Sequence, residues 1–186
     1  MRETTMGRRL SRHIVLVGMM GAGKTAIGTE LARRLGVAFR DSDAEIETAA
    51  AMTITEIFAR DGEAFFRARE AEVLGRLLAG APAVISTGGG AWMQTRNREV
   101  IGRSGLSVWL SCDLDTLWQR VRQRPTRPLL QTADPRGTLA ALLAERAPVY
   151  ALADLDFPAR PDDSIETAAG RLLAALEAAS PSPFKD

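Results

Sequence analysis

Cysteine is almost missing from this chain, which excludes a fold stapled by disulfides. The one cysteine among 186 residues, Cys112, has no partner for an intramolecular bridge, and this fits a reducing compartment. Cys112 ends an apolar run, so we predict a small buried side chain there and not a nucleophile. With 46% hydrophobic residues, a chain of this length can bury a core without disulfides or metals.

Long hydrophobic runs and an excess of one charge sign are also missing. No segment reaches the ~20 apolar residues that span a bilayer, and the basic residues 1–12 lack the apolar stretch of a secretion signal. The formal net charge of +1 provides no overall attraction to nucleic acid or to a membrane surface. We therefore expect a cytoplasmic protein with neither nucleic acid nor membrane as a partner.

The length suits one domain, which we place at residues 13–179. The charged segment 1–12 and the Pro/Ser-rich segment 180–186 are predicted to be disordered. Between them, apolar β-type runs alternate with helical stretches. Strands are predicted at 13–17, 37–41, 83–86, 107–111 and 155–158, and helices at 24–35, 53–60, 63–78, 113–123, 139–150 and 164–178.

This alternation predicts crossover connections and a parallel sheet, and hence an α/β fold. Ligands of such sheets bind beyond the carboxyl ends of the strands. The loops 18–25, 41–43 and 88–90 all follow predicted strands. One edge of one sheet is therefore the expected location of the functional site.

The loop Gly18–Thr25 fits the phosphate-binding pattern G-x-x-x-x-G-K-[ST]. Its glycines let successive backbone N–H groups converge on phosphate oxygens, and the helix that follows favours anions at its N-terminus. Lys24 provides a cation for the β- and γ-phosphates, and Thr25 offers a hydroxyl to Mg²⁺. The alternative is a tight strand-to-helix turn with an exposed lysine. The predicted ATP contacts are Gly21, Ala22, Gly23, Lys24, Thr25 and Ala26.

Two aspartates follow the second predicted strand. In an extended segment, Asp41 and Asp43 would point the same way, so Asp41 could face Mg²⁺ while Asp43 faces an acceptor hydroxyl. Asp41 is preferred as the metal-side carboxylate because no hydrophobic strand ends in the aspartate of a Walker B motif. Asp-Ser-Asp is also a common solvated turn, and that alternative stays open here.

Arginines and glycines further along the chain could hold an acceptor. Arg67 could bind an anion or pair with a glutamate on its own helix, and Gly88–Gly90 could bring backbone amides to a ligand or form a flexible turn. The segment 120–136 is rich in arginine and proline. It could be a mobile cationic lid over a triphosphate, a solvated loop, or a nucleic-acid patch.

In their order along the chain, these motifs resemble shikimate kinase. The resemblance spans about residues 14–176. The two residues after Tyr150, Ala151 and Leu152, depart from a common pattern, and both ends extend beyond a minimal enzyme. Besides the phosphate-binding loop, it rests on Asp41-x-Asp43, Phe66-Arg67-x-x-Glu70, Gly88-Gly89-Gly90, Arg127-Pro-Leu-Leu130 and Arg146-x-Pro148-x-Tyr150.

The resemblance implies a three-layer P-loop fold with a five-stranded parallel sheet in the order 2-3-1-4-5, a mobile lid at about 120–136, and a monomer. The reaction it implies is transfer of the ATP γ-phosphoryl group to the 3-hydroxyl of shikimate, with Mg²⁺, in aromatic amino-acid biosynthesis. Asp43 would bind the acceptor hydroxyls and act as base. The other implied contacts are Arg67 and Arg146 on the carboxylate, Gly88, Gly89 and Gly90 on the ring hydroxyls, Arg127 on the γ-phosphate, Arg120 beside adenine, and Thr25 and Asp41 on Mg²⁺.

Two other hypotheses remain open from the sequence. The phosphate-binding loop and arginine lid also fit a gluconate or nucleoside-monophosphate kinase of the same fold. The arginine-rich segment alone fits a non-catalytic nucleotide-binding or nucleic-acid-binding module, against which stand the near-neutral charge and the acidic pair Asp41 and Asp43.

Overall fold

A computed structural model of the chain describes residues 9–122 and 130–185. Seven strands and seven α-helices occur in these residues. The strands are β1 (Arg9–Leu10), β2 (His13–Val17), β3 (Phe39–Asp41), β4 (Val84–Ser86), β5 (Gly105–Ser111), β6 (Leu155–Pro158) and β7 (Phe184–Lys185). The helices are α1 (Lys24–Leu35), α2 (Ser42–Ala50), α3 (Ile54–Leu78), α4 (Thr95–Ser104), α5 (Leu114–Val121), α6 (Pro135–Tyr150) and α7 (Ile165–Ala178).

The central sheet has five parallel strands in the order β3-β4-β2-β5-β6. Counting only these five along the chain, the order is 2-3-1-4-5, which confirms the predicted fold. Strand β2 lies in the middle, and residues 14–17 are fully buried. The continuous apolar run Ile14–Val17 suits this position, because helices cover both faces of a parallel sheet.

Local signals in the sequence set the ends of several helices. Helix α1 is flanked by Gly23 at its N-cap and Gly36 at its C-cap. Both glycines have a backbone in the left-handed region that favours glycine. Thr53 and Glu56 form the predicted capping box of α3. The two helices predicted at 53–60 and 63–78 meet at Gly62, which has a φ of 81° and interrupts α3.

Helix α4 was not predicted from the sequence. Its ten residues are mostly polar and basic, and only Asn97 and Ile101 are buried. Such a segment shows no apolar stripe of helical period. Helix α4 packs against α3 and β5, so its conformation depends on tertiary contacts rather than on local pattern. No helix in residues 9–122 and 130–185 is long and apolar enough to cross a membrane.

The prediction that both ends are disordered is wrong for the residues that the structure describes there. Strand β1 pairs antiparallel with β7, with Arg9 opposite Lys185 and Leu10 opposite Phe184. Leu10 and Phe184 are buried in the main core, and Pro183 O accepts hydrogen bonds from both Ser11 N and Ser11 Oγ. Burial of these apolar side chains, which composition alone does not reveal, offsets the entropy of ordering both segments.

Substitution of Phe184 tests this terminal pairing. We expect Phe184→Ala to lower the free energy of unfolding by about 2–3 kcal/mol, because the aromatic ring is 9% exposed and its loss leaves a cavity. The matched control is Lys185→Ala, which changes the exposed neighbour on the same strand. Urea titrations followed by circular dichroism would measure both. Equal midpoints for the two variants would contradict a structural role for β7.

Candidate active site

The loop after β2 has the backbone of a phosphate-binding loop. Gly18, Gly21 and Gly23 have φ values of 136°, 82° and 99°, a region that side chains rarely adopt. Lys24 Nζ donates to Gly18 O at 2.8 Å and to Met19 O at 3.0 Å. The lysine thus folds back over the loop, where its charge faces the space that phosphates occupy in such loops.

Arg120 lies against this loop from helix α5. Its Nη1 donates to Gly21 O at 3.2 Å and to Ala22 O at 3.3 Å. A methyl group on Gly21 would lie 2.6 Å from Val121 Cγ1, so α5 and the loop are in close contact. Arg120, predicted to border the nucleotide, is therefore brought to the nucleotide side of the site.

Thr25 and Asp41 are neighbours at the carboxyl edge of the sheet. Thr25 Oγ1 donates to Asp41 Oδ2 at 3.2 Å, and Asp41 Oδ1 accepts from Asp43 N and Ala44 N. A hydroxyl and a carboxylate are the oxygen ligands that Mg²⁺ takes from a protein when most of its shell is water and phosphate. The donor set of this pair fits Mg²⁺.

The predicted extended conformation of residues 41–43 is wrong. Asp41 is extended and caps α2, whereas Asp43 lies in the first turn of that helix. Asp43 still faces the site. Its Oδ1 is buried and, within residues 9–122 and 130–185, has no hydrogen-bond partner. A buried acceptor atom without a donor is costly unless a ligand supplies one.

The charge of Asp43 is poorly solvated. Burial raises the pKa of its carboxyl to about 6, the nearby Asp41 charge adds to the rise, and Lys24 opposes it. A pKa near neutrality is what a proton acceptor needs, because the group is ionised at working pH yet still holds a proton well. Asp43 therefore has the electrostatic character of a general base.

Each glycine of the triplet Gly88–Gly90 faces a predicted site residue. A Cβ on Gly88 would lie 2.5 Å from Asp43 Oδ1, one on Gly90 would lie 2.5 Å from Arg67 Nη2, and one on Gly89 would lie 3.4 Å from Arg146 Nη1. None of the three has a positive φ. At Gly88 and Gly90 a side chain approaches the backbone too closely for a Cβ, whereas a Cβ on Gly89 would make ordinary van der Waals contact.

Arg67 holds two carboxylates of its own helix. Its Nη1 donates to both oxygens of Glu70, at 2.9 and 3.1 Å, and its Nε and Nη2 lie 3.4 and 3.3 Å from Glu63 Oε1. The Glu70 side chain is 1% exposed, whereas that of Glu63 is 68% exposed. Glu70 thus holds the guanidinium on its buried side. The edge of the guanidinium that faces Glu63 remains accessible. The predicted helix pair of Arg67 is therefore present, and anion binding by Arg67 stays a prediction.

Tyr150 ends one of the sequence motifs, and the sequence predicted no contact for its side chain. It is fully buried, and its hydroxyl donates to Gly89 O at 2.6 Å. Because Arg146 and Tyr150 share helix α6, this bond ties the helix to the glycine triplet. Ser42 was also missed, and its Oγ accepts from Gly88 N at 3.3 Å. Both contacts join residues distant in the chain, and the sequence alone gives no signal for either.

A cavity of about 1180 Å³ connects the phosphate-binding loop to Asp43 and the first two glycines of the triplet. Arg67, Gly90 and Arg146 stand behind this lining, in contact with the triplet. Arg127 lies outside the described residues, as do residues 123–129 of the predicted lid. The two ends of the predicted lid are helical, with Arg120 in α5 and Arg136 in α6.

A phosphate-binding loop beside a buried carboxylate, glycine amides and arginines defines a P-loop kinase with a small anionic acceptor. Comparison with known proteins specifies the family. A family model described as shikimate kinase matches residues 20–177, and the chain belongs to the shikimate kinase family.

Individual relatives agree with this assignment. A shikimate kinase from Ruegeria pomeroyi is 60% identical over 167 residues, which cover 90% of this chain and 86% of that protein. The crystal structure of shikimate kinase from Acinetobacter baumannii in complex with shikimate has a TM-score of 0.85 and 39% identity, covering 90% of this chain and 93% of that one. A gluconokinase from Sinorhizobium meliloti, with 19% identity and a TM-score of 0.56 over 91% of this chain and 97% of its own, shares the fold alone.

The chain is thus an ATP-dependent kinase of the shikimate kinase family, as the sequence predicted. The two relatives that combine coverage of 90% of this chain with identities of 60% and 39% are both shikimate kinases. This favours shikimate over the gluconate and nucleotide acceptors and over a non-catalytic binding module.

Proposed function

We propose that Asp43 binds the acceptor hydroxyl of shikimate and takes its proton during phosphoryl transfer. The observation that carries this role is the buried Asp43 Oδ1, which has no donor among the described residues. A substrate hydroxyl would supply that donor. The raised pKa, about 6, suits a base that accepts the proton as the oxygen attacks the γ-phosphorus.

Arg67 and Arg146 clamp the substrate carboxylate in this proposal, and Gly88, Gly89 and Gly90 contact the ring hydroxyls. What supports it is the position of both guanidinium groups against the same glycine triplet. A planar guanidinium matches a carboxylate with two parallel hydrogen bonds. With the carboxylate held at one end and Asp43 at the other, the hydroxyl would be oriented for in-line attack.

The nucleotide occupies the other half of the site. Backbone amides of Gly21, Ala22, Gly23, Lys24, Thr25 and Ala26 hold the phosphates, Lys24 and Arg127 neutralise the transferred group, and Arg120 flanks the base. Thr25 and Asp41 would hold Mg²⁺, which supplies charge neutralisation at the phosphates when bound. The adjacent Thr25 and Asp41 oxygens support this assignment. Arg127 is proposed on its motif alone.

We place the enzyme in the cytoplasm as a monomer. Residues 13–179 form the body of its kinase domain, into whose core Leu10 and Phe184 also pack, and residues 120–136 form its lid. Its small-molecule partners are ATP and shikimate, and neither nucleic acid nor membrane is a proposed partner. The lone thiol supports the compartment, and the net charge of +1 supports the choice of partners.

The pH dependence of kcat/KM for shikimate tests the role of Asp43. Only the ionised carboxylate can accept the proton, so kcat/KM should rise with pH and level off above an apparent pKa of about 6. Asp41→Asn removes a neighbouring charge that raises this pKa, so its acid limb should move to lower pH. Glu47→Gln, which removes a weaker contribution to the rise, should move it less. An acid limb that is identical in all three proteins would belong to another group and would contradict the assignment.

A further inference from the structure

The loop between β6 and α7, residues 159–164, forms the nucleotide side of the cavity. In the sheet order β3-β4-β2-β5-β6, Asp43 and the glycine triplet follow the first two strands, and the phosphate-binding loop follows the middle strand. The 159–164 loop follows the strand at the opposite edge. If the phosphates lie on the middle loop with the γ-phosphate toward Asp43, the rest of the nucleotide extends toward the 159–164 loop. Ala159, Arg160, Asp163 and Ser164 line the cavity there.

Arg171 holds this loop from helix α7. Its guanidinium forms an ion pair with Asp163 through Nη1 and donates from Nη2 to Pro158 O at 3.1 Å. It also lies 4.8 Å from the centre of the Phe157 ring. The side chains of Arg171 and Asp163 are 25% and 12% exposed. One arginine therefore connects the end of β6, the loop and α7.

The charge of Asp163 makes this connection relevant to ATP. Asp163 faces a cavity that receives a triphosphate, and an unpaired carboxylate there would repel it. Arg171 both neutralises this carboxylate and fixes the loop backbone through Pro158. Without Arg171, the loop would lose a charge-assisted contact and present a bare negative charge to the nucleotide.

We propose that Arg171 is a positioning residue for ATP, acting through Asp163 and the 159–164 loop. It does not itself line the cavity. The inference rests on ATP binding at the phosphate-binding loop and is independent of the roles proposed for Asp43, Arg67 and Arg146. Its failure would leave the acceptor assignments untouched.

Steady-state kinetics and ADP binding test this proposal. We expect Arg171→Gln to raise KM for ATP and Kd for ADP about five- to tenfold, because a partly exposed charge-assisted contact is lost. The KM for shikimate should change less than about twofold, since the acceptor side is untouched. Arg171→Lys keeps the charge but not the planar fork, and an intermediate effect is expected.

Arg69→Gln is a matched control. Arg69 also combines an ion pair, with Glu72 at 2.6 Å, and a position over an aromatic ring, Phe65 at 5.1 Å. Unlike Asp163, the partner of Arg171, neither Glu72 nor Phe65 lines the cavity. Adding Asp163→Asn to Arg171→Gln should recover part of the ADP affinity, because the repelling charge is removed. Thermal unfolding of each variant checks that the protein is folded.

Unchanged nucleotide constants in folded Arg171→Gln would overturn the proposal. Equal increases in KM for both substrates, or an equal effect of Arg69→Gln, would also overturn it by indicating a general structural role. If Arg171→Gln does not fold, Arg171→Lys decides by the same comparison of ATP and shikimate constants.

Discussion

Replacement of Asp43 by asparagine is expected to lower kcat by about 10²–10⁴-fold, the contribution typical of a positioned general base. The amide keeps the shape of the side chain but cannot accept the proton of the attacking hydroxyl. Binding of ADP should remain near the wild-type value, because the phosphate-binding loop is unchanged. Coupled measurement of ADP release with saturating ATP and shikimate gives kcat. A variant that keeps more than about a tenth of kcat would exclude Asp43 as the base.

The same substitution should stabilise the protein at neutral pH. Because the pKa of Asp43 is raised in the folded state, the stability it contributes is present below the unfolded pKa of 3.8 and is lost as pH rises through about 6. At neutral pH the native enzyme therefore carries a charge that destabilises it, by about 3 kcal/mol. We expect Asp43→Asn to exceed the wild type in free energy of unfolding at neutral pH and to match it near the unfolded pKa.

Asp156 is exposed on β6, so the variant Asp156→Asn controls for the loss of one negative charge. Urea unfolding at an acidic and a neutral pH would measure all three proteins. A stability gain that is equal at both pH values would not come from the ionisation of Asp43. Loss of activity together with a gain in stability is the pattern expected of a functional group held in an unfavourable environment.

Replacement of Arg67 by alanine is expected to raise KM for shikimate by about a hundredfold, because a charge-assisted pair with the substrate carboxylate is lost. It should also lower the free energy of unfolding by about 3 kcal/mol, because Glu70 is left buried without its cation. These two effects have different causes and can be separated. Initial rates with varied shikimate at saturating ATP measure the first, and thermal unfolding measures the second.

A double variant, Arg67→Ala with Glu70→Gln, makes the separation. Removing the buried charge should recover much of the stability, while KM for shikimate stays high. Arg69→Ala, two residues along the same helix and 51% exposed, should change neither quantity much. A KM within about twofold of the wild type in Arg67→Ala would exclude this arginine from substrate binding.

The sequence predicted the central sheet because its signals are local and strong. The strand at His13–Val17 and the helix Lys24–Leu35 have the predicted bounds, since an apolar run and two left-handed glycines determine where each begins and ends. Asp113 caps α5 as expected, accepting from Thr116 N at 2.8 Å. Helix α4 and the pairing of β1 with β7 could not be predicted, because they depend on contacts between residues distant in the chain.

The candidate site divides in the same way. The sequence predicted that Asp43 faces the site, and it does, although the extended conformation on which that prediction rested is wrong. A helix that begins directly after a strand turns its first residues toward the same edge of the sheet that an extended segment would reach. The need for glycine at Gly88 and Gly90 could be interpreted only once the approach of Asp43 and Arg67 was known. The bond from Tyr150 to Gly89 is a contact between residues 61 positions apart, for which one sequence offers no signal.

Pairing of β1 with β7 brings the two ends of the described chain side by side. Opposed residues of an antiparallel pair, here Arg9 and Lys185, have Cα atoms about 5 Å apart. Strand β1 leads into the amino end of β2, so this junction lies at the edge of the sheet opposite the phosphate-binding loop. Arg9 and Lys185 could therefore be joined by a short peptide. New termini could then be opened in a surface loop, to give a circularly permuted kinase whose catalytic edge is undisturbed.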